Sequence, residues 1–315
     1  MANQAVLLLA HGTPETVEQI PEYLLNVTGG RPLPPEVVEE IQRRYALIGH
    51  SPLTEITLEQ ARMVEAELAS GGESIPVYVG MRNWHPYIAD VVRQMRTDGI
   101  EAAAVLCLAP QNSRTSVGLY RRALETAIAA AASGLRIDFT EGWAQHPLLI
   151  EAFAERLRPA WSKLAAETGA PVSVLFTAHS VPCRTVQATE GQSADPYAEE
   201  ARHTAELVAA QMPEIPQWFF AFQSQGASGG PWLGPTVEET LESIATSGAK
   251  AVLLQPIGFL CDHVEILYDV DILFREFAKK QNLRLERPES LNASVPLAKA
   301  IADLARQGLK RLNRP

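Results

Sequence analysis

Cysteine is scarce in this chain. Cys107, Cys183 and Cys261 are the only three among 315 residues, and an odd, widely spaced set offers neither a disulfide framework nor a Cys-x-x-Cys metal site. An iron–sulfur cluster would want four thiolates, so none is expected. No apolar run reaches the ~18 residues a membrane span needs, and the first residues lack a basic leader region. A cytoplasmic protein with no transmembrane segment is the expectation. Positive charge is in deficit, 27 Lys and Arg against 37 Asp and Glu for a net charge of −10, which argues against nucleic acid as a partner because phosphates demand a basic face. The spacings G-x-G-x-x-G and G-x-x-x-x-G-K-[ST] of nucleotide cradles are absent. So is the G-x-S-x-G elbow of serine hydrolases.

What is present is a repeated grammar. Val174 to Pro182 is an apolar run that stops at Ala178-His179-Ser180, and Val6 to Pro14 does the same at Ala10-His11-Gly12. Short continuous apolar runs bounded by turn residues suit strands of a parallel sheet buried on both faces. Each run would deliver a histidine at a strand's C-terminal end, the edge where open α/β sheets bind ligands. A second pair, Ala103–Pro110 and Lys250–Pro256, again ends in proline. Self-similarity of this kind predicts a duplicated α/β plan. The fold class expected is two similar doubly wound parallel-sheet domains facing each other across a cleft, with His11 and His179 on opposing walls.

Length allows two domains, and a hydrophobic content of 46% with 20% charged residues leaves no case for bulk disorder. The domains are expected at 1–168 and 169–315, with the last helix, 294–311, packing back on the first domain. After the first strand, the residues from about 15 to 70 carry three helical stretches before the next strand at Val77, too long for an ordinary βα connection. They read as a lid or substrate wall, the last helix capped by Thr54. From there strands and helices alternate, as a parallel sheet covered on both faces requires. In the loop from Gly226 to Pro235, Trp232 is suited to stacking on something flat.

The segment Gly258 to Asp271 is the richest in chemistry. At α-helical spacing Asp262, Glu265 and Asp269 fall on one stripe, with His263 and Asp271 pointing elsewhere. Three carboxylates on one face repel unless a cation or bound protons relieve them. Together with a histidine able to accept a proton or ligate a metal ion near neutral pH, the stripe points to metal handling or proton abstraction.

Ala178-His179-Ser180-Val181-Pro182, Pro231-Trp232-Leu233-Gly234-Pro235, Gly258-Phe259 with Asp262 to Asp269, and Gly49 with Ser51-Pro52-Leu53 together resemble the ferrochelatase family, in the family's order, from about residue 6 to 310. The resemblance implies a lyase of haem biosynthesis that inserts Fe²⁺ into a porphyrin with release of two protons. Porphyrin and ferrous iron would be its partners, iron as substrate, with no prosthetic group and a monomeric chain. It implies His179 and Glu265 as the inner pair, either one taking the proton or ligating iron, and Asp269 as a further metal residue one turn on. The chain is most similar to the shorter coproporphyrin-type members, in which Arg44, Ser51 and Tyr120 match residues that meet propionates. Thr28 replaces a further arginine, for which Arg31 is the possible substitute. His11 and Trp232 are the remaining porphyrin contacts. Two departures stand out: Leu273 where the acidic stripe commonly continues, and His11 where tyrosine or an apolar residue is common. They leave open a protoporphyrin ferrochelatase, a cobalt-preferring chelatase, or a non-catalytic haem or metal carrier.

Overall fold

The computed structural model describes residues 3–226 and 229–314. They divide into two compact units, one formed by residues up to Pro110, Thr115–Trp143 and Asn292 onward, the other by Gln111–Arg114 and Ala144–Leu291.

In the first unit, β1 (Gln4–Ala10) is followed by helices α1 (Ile20–Thr28), α2 (Pro35–Ile48) and α3 (Leu53–Ser70), then β2 (Val77–Met81), α4 (Ile88–Thr97), β3 (Ala102–Cys107), α5 (Val117–Ala131) and β4 (Arg136–Thr140). The strands form one parallel sheet in the order β2-β1-β3-β4. Ala5 to Leu9 of β1 are wholly buried, as a strand covered on both faces must be. Leu7 and Leu9 pack with Val92 and Met95 of α4 and Leu124 of α5. Helix α3 begins at Leu53 behind Pro52, so Thr54 is not its cap; the Thr54 hydroxyl instead donates to the Thr13 carbonyl at 3.3 Å.

In the second unit, α6 (Pro147–Thr168) leads into β5 (Ser173–His179), a single turn α7 (Cys183–Val186), α8 (Tyr197–Ala210), β6 (Trp218–Gln223), α9 (Val237–Thr246) and β7 (Ala251–Pro256). A π-helix over Glu265–Phe274 runs on into α10 (Arg275–Lys280), and the short strand β8 (Arg284–Glu286) closes the unit. The order β6-β5-β7-β8, again all parallel, reproduces that of the first sheet strand for strand. Leu175, Val252 and Leu254 pack with Leu241 of α9 and with Ile266, Val270 and Phe274 of the π-helix.

The final helix, α11 (Val295–Leu312), belongs to the first unit, where it lies on β3, β4 and α3. Arg311 grips Asp138 through two bonds of 2.9 and 2.7 Å, and Arg306 donates to Glu73 at 2.7 Å. Among the described residues no helix is long and apolar enough to cross a membrane.

Candidate active site

His179 is the last residue of β5, pairing with Gln223 of β6. Its main chain is fixed: the Tyr197 hydroxyl donates to the His179 carbonyl at 2.8 Å, and the next residue's N–H donates to the Gln223 carbonyl at 2.6 Å. Burial and the charge of Glu265 push the Tyr197 phenol up, so at neutral pH it is an O–H donor. Asp195, buried beside it, accepts from the Tyr197 N–H at 3.0 Å and the Arg114 N–H at 2.7 Å.

Opposite His179 stands Glu265, the first residue of the π-helix, with Nε2 to Oε1 at 3.5 Å. Each of these side chains keeps about a third of its surface open, 33% and 34%. Desolvation disfavours the charged form of His179, but the Glu265 charge and hydrogen bond outweigh it, and the imidazole pKa is raised. Desolvation likewise acts to raise Glu265, yet His179 and His263 hold its carboxyl well below the usual range. Both directions favour an imidazolium–carboxylate pair.

The chain can approach His179 this closely because residue 258 is glycine: a Cβ there would sit 3.0 Å from both the Cα and the Cβ of Ala178. Phe259 then meets His179 edge-on, with centroids 6.2 Å apart, and lies 4.5 Å from His263.

Three sequence expectations for this segment need correction. His263 does not point away; its Nε2 lies 3.7 Å from Glu265, and its Nδ1–H donates to the Cys261 carbonyl at 3.0 Å. Asp262 does not share a stripe with Glu265 and Asp269. It precedes the helix and accepts from Ser290 at 2.7 Å, with Arg287 at 3.0 Å. Nor is the helix α-helical, because i→i+5 hydrogen bonding widens each turn. Glu265 and Asp269 are therefore neighbours on a wider turn, and the expected repulsion among three carboxylates is replaced by separate partners. Asp269 is buried and accepts from the Ser224 hydroxyl. Behind Ser224, Gln223 Nε2 donates to its hydroxyl at 3.4 Å, while Gln223 Oε1 accepts from Thr177 at 2.6 Å. Leu273, one further turn along, is exposed.

Trp232 sits in a loop tied to the end of β5: Ser180 Oγ donates to the Leu233 carbonyl at 2.9 Å, and Leu233 N–H to the Val181 carbonyl at 3.0 Å. Its ring lies against Gly226, where a Cβ would come within 2.9 Å. Ala227 and Ser228 of that loop lie outside the described residues.

In the first unit His11 directly follows β1. Gly12, at φ +78°, turns the chain there, where a Cβ would clash with Met81 Cβ and Trp84 N at 2.9 Å. The His11 Nε2 lies 2.8 Å from the Tyr23 hydroxyl, and Asn83 Nδ2 lies 3.1 Å from the same nitrogen. Tyr120 is buried on α5 with the Arg82 guanidinium 5.4 Å from its ring centroid. Ser51 is buried and its hydroxyl has no hydrogen-bond partner. Arg44 donates to Glu40 at 2.9 Å, and exposed Arg31 donates to its own loop at the Thr28 carbonyl. Thus His179 and Glu265 are brought together with Asp269 on the same helix, whereas Arg31 and Arg44 are engaged locally.

Sequence reasoning missed Arg82, Tyr197, Ser224 and Arg287. Ser224 was within reach, since it directly follows a strand's C-terminal end as His11 does. Among the described residues no three His, Cys, Asp or Glu side chains form a ready metal site.

Paired four-stranded parallel sheets of this kind are the architecture of the chelatases. The sirohydrochlorin chelatase SirB from Bacillus subtilis, solved with cobalt, superposes with a TM-score of 0.58 at 12% identity, over 98% of this chain and 95% of that one. CbiX, a terminal enzyme of siroheme biosynthesis in denitrifying bacteria, gives 0.52 at 14% identity over 96% and 98%. At such identities the likeness is one of fold.

The sequence itself goes further. Residues 3–309 match the ferrochelatase family, and a ferrochelatase of Acidobacterium capsulatum is 57% identical over 98% of this chain and 95% of its own length. A coproporphyrin III ferrochelatase of Mycolicibacterium vanbaalenii is 37% identical over 96% and 89%. This chain belongs to the ferrochelatase family.

Proposed function

We propose that the protein inserts Fe²⁺ into coproporphyrin III, giving coprohaem. The observation that carries the reaction is the His179–Glu265 pair, 3.5 Å apart and tuned toward imidazolium and carboxylate. Metallation replaces two pyrrole N–H protons by one divalent ion. Once His179 has released its own proton to water, the neutral imidazole accepts one from a pyrrole nitrogen, and the imidazolium so formed is stabilised by the Glu265 charge. Its partly open side chain discharges that proton to water before the second is taken. Glu265, held ionised, meets the incoming cation, and Asp269 on the same helix is the next oxygen ligand along the helix, a hard donor suited to ferrous iron still carrying water.

The choice of porphyrin rests on lighter support: the match to the Mycolicibacterium relative, the unpartnered buried Ser51 hydroxyl, and Arg82 against Tyr120. Ser51, Tyr120, Arg44 and Arg31 are the proposed propionate contacts, and His11 and Trp232 the proposed contacts to the macrocycle. Anaerobic metallation assays with coproporphyrin III and protoporphyrin IX, each against Fe²⁺, Co²⁺ and Zn²⁺, test the proposal. Turnover preferring coproporphyrin and Fe²⁺ supports it. A preference for protoporphyrin or cobalt would replace the substrate or metal, and tight haem binding without turnover would make the chain a carrier.

A further inference from the structure

One largely enclosed cation in the second unit has no part in the chemistry proposed above. Arg287, just beyond β8, has a side chain only 9% exposed. Its guanidinium donates to both oxygens of Asp271 at 2.8 Å each and lies 3.0 Å from Asp262. A third bond, to the Pro288 carbonyl at 3.2 Å, anchors it to its own loop, and Ser290 from that loop donates to Asp262. The two carboxylates bracket the active stretch: Asp262 lies just before His263 and Glu265, and Asp271 just after Asp269.

A guanidinium between partly buried carboxylates is a poor way to gain stability, since apolar packing of equal volume does as well or better. What it provides is direction, through a planar fork that accepts one orientation of its partners. The segment it grips needs direction. A ten-residue π-helix is a rare geometry, and its apolar side, Ile266, Val270 and Phe274, restrains its distance from the sheet better than its rotation or its register. We infer that Arg287 is a positioning residue: by tying Asp262 and Asp271 to one guanidinium it sets the register of the π-helix, and so aims Glu265 at His179 and Asp269 at Ser224. The inference rests on the metallation reading for its activity test but not for its structural one.

The experiment compares wild type with R287K, R287M and the triple variant R287M/D262N/D271N. The triple variant removes the guanidinium without leaving the two carboxylates unpaired. R284M serves as control, since Arg284 at the start of β8 makes exposed ion pairs with Glu167 of α6 and with Glu286 of its own strand. Two readouts are taken: steady-state Fe²⁺ metallation, and the ¹⁵N ring signals of His179 and His263 without substrate.

R287M and the triple variant are expected to lose about 10–100-fold in kcat, with the porphyrin KM within about threefold of wild type and the His179 signals displaced. R287K should regain part of the loss, and R284M should match wild type. A folded triple variant with kcat within about twofold of wild type and unmoved His179 signals would reduce Arg287 to a staple and overturn the inference. Should neither methionine variant fold, R287K decides: full activity with unmoved signals overturns, and partial loss with displaced signals supports. Should wild type fail to metallate, the proposed function falls, and the ring signals alone judge Arg287.

Discussion

The two strand-end histidines occupy corresponding places in two sheets of the same strand order, yet they keep different company. His11 is held by the Tyr23 phenol and the Asn83 amide; His179 faces the Glu265 carboxylate, with a second imidazole beyond it. Two uncharged groups fix a ring without assisting a change in its charge. A carboxylate does assist it, since it stabilises the imidazolium as soon as a proton arrives. A duplicated scaffold has thus put similar side chains at two edges and set a carboxylate beside one of them.

The sharpest way to break that contrast is to remove each imidazole in turn. His179→Ala should lower kcat by about 100- to 10,000-fold, the usual scale for losing a general base, with folding intact by circular dichroism. His11→Ala should cost less than about tenfold; the reverse ranking would move the chemistry to the first unit. Glu265→Gln comes next, at about 100-fold in kcat, and carries a pH signature. The rate of wild type should rise with pH as His179 loses its proton, with a midpoint above the ordinary imidazole value because that pKa is raised. The glutamine variant loses the charge that raises it while desolvation, which lowers it, remains. The midpoint of its residual activity should therefore fall, and an unchanged midpoint would dissociate the pair. Tyr197→Phe leaves the His179 carbonyl without its 2.8 Å donor, at an expected cost of about 1–3 kcal/mol in denaturant unfolding. The smallest effect is expected from Leu273→Glu. This exposed position should tolerate the change within about 0.5 kcal/mol, while kcat/KM for Fe²⁺ rises if a third carboxylate aids delivery.

Much of this was legible beforehand where the signal is local. The runs ending at His11 and His179 are so apolar that only a strand covered on both faces accommodates them, and their likeness foretold the matching sheets. The Glu265 partnership with His179 was reached through family resemblance; the structure sets the two side chains 3.5 Å apart. What escaped was set by distant packing. Asp262 was read onto the Glu265 stripe because an α-helix running through both was assumed, whereas the helix begins at Glu265 and is π-helical. Strand β8, three residues long, is too short to show alternation. Arg287 and Ser224 owe their roles to partners far along the chain, Asp271 and Asp269 among them, and no window of sequence contains both ends of such a contact.

The placement of α11 on the first sheet also bears on how the molecule is made. A ribosome finishes β1 to β4 early, but the helix that covers one face of that sheet emerges only after the second unit. The second unit, drawn almost wholly from Ala144–Leu291, can close as soon as it leaves the exit tunnel. The half begun first is thus completed after the other, and until α11 emerges its uncovered apolar face is exposed on the nascent chain.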